Sequence, residues 1–144
     1  MKHLQIFFIC LLVCASSLIA GAAQASTSMT ESTSGSTPVP GTSVTLSWSL
    51  EGDAGKSAFN PDKVQKIIVQ LRDNSGKPLA AGVELTGFDA RMPEHNHGMV
   101  TKPVIKKISA SEYAVDGVKL HMSGKWVLEF KVSDKSVKFP VEIK

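Results

Sequence analysis

Thiols are almost missing from this chain. Its two cysteines, Cys10 and Cys14, both fall inside an apolar N-terminal run. A protein that loses that run has no disulfide, no thiolate ligand and no cysteine nucleophile. Arginine is as scarce, with Arg72 and Arg91 alone, and the lysines are scattered without interleaved aromatics. A formal net charge of +3 spread in this way forms no basic stripe, which excludes nucleic acid as a class of partner. No asparagine stands in a glycosylation sequon, and no serine stands in a GxSxG elbow. The stretch "EGDAGKS" has Leu50 where a phosphate-binding loop requires glycine, so that motif is broken. No glutamate–histidine pair has zinc-protease spacing. The expectation is a protein without a catalytic constellation, not an enzyme.

What is present begins with an address. Lys2 and His3 precede the apolar run Leu4 to Ala20, and Ala23 and Ala25 occupy the small-residue positions before a cleavage point. This three-part pattern predicts a signal peptide over 1–25 and a periplasmic or secreted mature chain. A retained membrane anchor is the rival reading, but the run is short for a span and ends in a good cleavage site. Lipidation at Cys14 is disfavoured by the bulk of Val13. Residues 26–42, "STSMTESTSGSTPVPGT", hold too little apolar surface to offset their ordering entropy and predict a flexible tether. The globular domain is expected over 43–144.

Within that domain the hydrophobic period is two. Val44, Leu46, Trp48 and Leu50 alternate with small polar residues, and Ile67, Val69 and Leu71 repeat the pattern. A weaker strand is expected over 83–92. Two closely joined strands follow in "PVIKKIS" and "SEYAVDGV", then Trp126, Leu128 and Phe130, then Val137, Phe139, Val141 and Ile143. Alternation of this kind builds half-buried strands. Pro140 cannot donate to a ladder, so the last strand is expected at an edge. Together these predict an all-β, antiparallel, immunoglobulin-like sandwich of about seven strands with no disulfide.

One cluster interrupts this plain pattern. Beyond the leader there are three histidines, His95, His97 and His121, and four methionines, Met29, Met92, Met99 and Met122. All except Met29 lie between Met92 and Met122. In an extended backbone His95, His97 and Met99 would share one face, and Gly98 would let the chain bend around an ion. His121 and Met122 are neighbours, so one is expected to reach the site while the other packs, Met122 beside Trp126 reading as core. Thioethers are soft donors suited to Cu(I), and imidazole accepts Cu(I), Cu(II) or zinc. Zinc sites draw on Cys, His and carboxylates. A His/Met set without cysteine therefore points to copper, and the missing thiolate excludes a blue-copper electron-transfer centre. Glu94 beside the cluster reads as surface charge.

The segments "MPEHNHGM" and "KPVIKKISASEYAVDGVKLHMSGKWVLEFKV" resemble the YtkA-like domain family, related to the FixH-like proteins. The matching residues are Met92, Pro93, His95, His97, Gly98, Met99, Tyr113, Gly117, His121, Met122, Gly124 and Trp126. The resemblance covers the C-terminal half well and the first strands in outline. It implies a small exported β-sandwich with an auxiliary role in copper handling, and partners such as a copper transporter or a respiratory oxidase assembly. FixH-like relatives keep a membrane anchor, whereas this chain has what reads as a cleavable leader; membrane association is expected only if that leader is retained. The expectation is thus a copper-binding protein, a Cu(I) or Cu(II) chaperone, buffer or resistance factor. His95, His97, Met99 and His121 are its main ligands and Met92 and Met122 lesser ones. The alternative is a metal-free interaction module that docks through an edge strand.

Overall fold

A computed structural model describes residues 33–52, 58–79 and 82–144. The expected signal peptide over 1–25 and the first part of the expected tether lie outside these residues. Among the described residues nine strands follow in chain order: β1 (Ser34–Pro38), β2 (Val44–Leu50), β3 (Gln65–Asp73), β4 (Leu85–Met92), β5 (His97–Gly98), β6 (Val104–Lys107), β7 (Glu112–Val118), β8 (Gly124–Val132) and β9 (Lys135–Ile143). They form one sheet in the order β1-β2-β3-β7-β6 and a second in the order β5-β4-β8-β9. Every pairing is antiparallel. The fold is the all-β antiparallel sandwich that the period-two pattern predicts. Among the described residues no helix is long and apolar enough to cross a membrane.

The alternating side chains make the core. Val44, Leu46, Trp48 and Leu50 of β2 and Ile67, Val69 and Leu71 of β3 face inward, where they meet Trp126, Leu128, Phe130, Val137, Val141 and Ile143 of the other sheet. Burying each large apolar side chain contributes about 1.5–3 kcal/mol. Aromatic contacts tie the layers, with Trp48 lying 5.9 Å from Phe139 and 6.4 Å from Phe130 between ring centroids. β9 carries Pro140 and is the outer strand of its sheet, as a residue without an N–H requires.

Two strands exceed the expected seven, and one of them corrects the tether. β1 begins at Ser34, inside the segment read as flexible, and pairs along β2 from Ser34 with Ser49 to Pro38 with Thr45. Ladder bonds come from the backbone, so a strand of small polar residues can form wherever an edge is offered. Val39 then anchors it in the core. Gly35 shows why the side chains are small: a Cβ there would stand 2.6 Å from Trp48 Nε1 and 2.9 Å from Phe139 Cδ1. Low apolar content marked this stretch as unable to fold alone, which differs from being unable to join a sheet. The other extra strand is the two-residue β5, too short to show any period.

Candidate metal centre

The site forms where the chain turns at one end of the second sheet. β4 ends at Met92, and Pro93–His95 follow as a single 3-10 turn. Pro93 suits the start of a turn because its φ is fixed and it has no N–H to satisfy. Asn96 closes the turn in the left-handed region at φ 51°, a conformation that asparagine tolerates better than most residues. The chain then doubles back as β5, with Met92 opposite His97 and Arg91 opposite Gly98. Residues directly opposite in an antiparallel pair share a face. Met92 points into the core, so its partner His97 is carried to the inner side of the sheet.

The second segment arrives from the other layer. β7 ends at Val118, and residues 119–123 cross between sheets before β8 starts at Gly124. The start of β8 lies beside the end of β4, since Val127 pairs with Arg91. This register brings "LHM" to the turn that bears the other two histidines. His97 and His121 have ring centroids 5.2 Å apart, and His95 lies 5.9 Å from His97. The half-site at 95–97 and the half-site at 121 therefore meet.

Two imidazoles bonded to one ion at about 2.0–2.1 Å place their ring centres roughly 5–6 Å apart. Both centroid distances fall in that range. The donor atoms are less prepared: among the described residues no three His, Cys, Asp or Glu side chains are already gathered around a common point. His97 is the shared neighbour, and His95, exposed on the turn, would have to swing inward. His97 Nδ1 stands 3.2 Å from the carbonyl of Gly98. As the Nδ1–H tautomer it donates there and leaves Nε2 with its lone pair free, the arrangement common in metal-ligating histidines. Among the described residues His121 Nδ1 is buried without a hydrogen-bond partner. A buried nitrogen in that state costs stability until something satisfies it, and a cation would.

The methionines are dispersed. Met92 is 1% exposed and belongs to the core, with its methyl so close to Gly124 that a Cβ there would collide with it. Met99 is partly buried against the core. Met122, expected as filler beside Trp126, is instead 38% exposed, and its backbone carbonyl accepts a 2.9 Å bond from Trp126 Nε1. The expected shared face of His95, His97 and Met99 is also corrected, because the 3-10 turn and Asn96 interrupt any extended run. Glu94 pairs with Lys125 at 3.7 Å, consistent with surface charge.

Sequence reasoning passed over Trp126 as a member of the site. Its indole meets His97 at 5.7 Å and His121 at 5.6 Å, edge-to-face in both cases. The available signal was its place in "HMSGKW", where it reads as an inward strand residue and as part of the family resemblance but not as a neighbour of the histidines. A cavity of about 270 Å³ opens beside His97, lined by Arg91, Met92, Pro93, Asn96 and His97 itself. Comparison of the chain with family models, with curated proteins and with solved structures finds no match.

Proposed function

We propose that this protein binds copper, Cu(I) in preference, and holds or delivers it as a chaperone, buffer or resistance factor. The observation that carries the reading is the meeting of His97 on β5 with His121 in the connection from β7 to β8, the latter with an Nδ1 that is buried and unpartnered among the described residues. His97 and His121 are the central ligands. His95 is the third, recruited from the exposed turn. Met99 and Met122 are the thioethers nearest in sequence that could complete a soft donor set, while Met92 acts first as core. The absence of cysteine from residues 26–144 leaves nitrogen and thioether donors, which suit copper better than zinc. The leader-like N-terminus agrees with an exported, periplasmic setting, and the YtkA-like resemblance agrees with copper handling, so a copper transporter or an oxidase assembly is a fitting recipient.

Titration of the protein with Cu(I) against a competing chelator tests this. A Kd tighter than about 1 μM is expected, with loss of at least tenfold in His97→Ala and in His121→Ala. Binding that survives both substitutions would overturn the assignment.

A second reading, a metal-free interaction module, draws on one observation. The outer strand β6 and the residue after it expose Val104 and Ile108, each 56% accessible. Such an edge can accept a partner strand. Partner capture in metal-free buffer that persists with all three histidines replaced would favour it.

A further inference from the structure

The inner side of the histidine pair is closed by an indole instead of a donor atom. Trp126 is fully buried, and its one polar atom is committed to the Met122 carbonyl at 2.9 Å. An indole N–H is a donor only, so this side chain offers no ligand atom. Met92, paired opposite His97 across β4 and β5, is buried as well. The three ring centroids of His97, His121 and Trp126 lie 5.2, 5.6 and 5.7 Å apart. Both imidazole ring centres thus lie within roughly 6 Å of the indole centroid, the reach of a cation–π attraction.

We propose that Trp126 is a specificity-determining residue, setting this site for a soft monovalent cation over a divalent one; the inference rests on the copper reading above. Two physical effects act in the same direction. A divalent ion such as Zn(II) demands four donors and gives up its hydration shell at far greater cost, because ion solvation grows with the square of the charge. The indole offers no lone pair in return. A monovalent d10 ion accepts fewer ligands, loses less hydration and still gains from the π system. Ag(I) shares that charge and softness without redox chemistry and is therefore a suitable probe.

The chain has two tryptophans, and Trp48 packs elsewhere against Phe59, Phe130 and Phe139. Trp48→Phe consequently leaves Trp126 as the sole indole. This variant is titrated anaerobically with Cu(I), Ag(I) and Zn(II), with emission and dialysed metal content read in parallel. Emission is expected to fall in proportion to Cu(I) and Ag(I) uptake. In the otherwise native chain, Trp126→Phe is expected to weaken Cu(I) and Ag(I) by about two- to thirty-fold while Zn(II) changes by less than about twofold. Cu(I) uptake with unchanged emission, or equal weakening of all three ions, overturns the role of Trp126 and leaves the copper reading standing. No uptake of Cu(I) by the native chain removes both. Should Trp126→Phe fail to fold, the emission of Trp48→Phe decides alone.

Discussion

His121 illustrates how one residue can be placed by elements far from it in sequence. It follows the buried Leu120 and precedes the exposed Met122, so its ring is drawn toward the sandwich without entering the core. The resulting Nδ1 is buried and, among the described residues, unpaired, a state that folding tolerates at a cost of about 1–3 kcal/mol. His121→Phe removes the orphan nitrogen and keeps the ring. It is expected to raise the urea midpoint of the metal-free protein while abolishing the His97–His121 metal pair, a trade of stability against binding that parallel unfolding and titration curves would expose. Gly124 works differently. Its φ of +122° is one that side chains rarely adopt, and any Cβ there collides with the Met92 methyl. Gly124→Ala is expected to destabilise by roughly 1–3 kcal/mol in urea unfolding and to weaken metal uptake by shifting Met92, which pairs with His97.

Among the elements, the strands were legible and the turns between them much less so. β2, β3, β8 and β9 have long alternations of bulky apolar residues, and alternation is a local property that survives without knowledge of neighbours. β1 escaped notice because its pairing depends on β2 and its side chains are small by necessity. Gly35→Val tests that necessity: it introduces bulk against Trp48 and Phe139. Faster amide exchange is expected along Ser34–Pro38 and in the facing half of β2, with the β8–β9 pair unchanged. If exchange in β1 is untouched, the close approach there is not what confines the strand to small residues. The 3-10 turn at Pro93–His95 was hidden for another reason. Pro93 and Asn96 are turn residues, but the spacing of His95, His97 and Met99 imitates a strand, and only the backbone decides between the two.

At the scale of the whole molecule, the charge pattern is local. Asp116 on β7 receives Lys106 from β6 at 2.7 Å and Lys66 from β3 at 3.7 Å, so one carboxylate ties three neighbouring strands. The hydrogen bond from Lys106, aided by the nearby charge of Lys66, holds its carboxyl below the ordinary value of 3.8. A lowered carboxyl stabilises the fold above that ordinary value, and the contribution disappears as pH falls through the lower folded value. Asp116→Asn is therefore expected to lose a little thermal stability near neutrality and to show a flatter decline below about pH 4, the ordinary carboxylate range. Thermal unfolding from pH 7 down to pH 2 would show it, and identical acid limbs would count against the ion-pair account. The three side chains are partly exposed, so the effect should also shrink in high salt.

The sequence by itself determined the fold class, because a period of two needs only neighbouring residues to be read. It also determined the donor chemistry, since a chain whose cysteines lie in a leader-like segment has imidazole and thioether to offer an ion. The meeting of His97 with His121 depended on tertiary structure, which had to set the β4–β8 register and route residues 119–123 between sheets. Placement of the methionines and the indole was decided at that level too. Met92 and Trp126 are buried and Met122 is exposed, because each takes whatever side the packed sheets leave to it. Side-chain type limits what a site can bind, and packing selects which of those side chains can reach it.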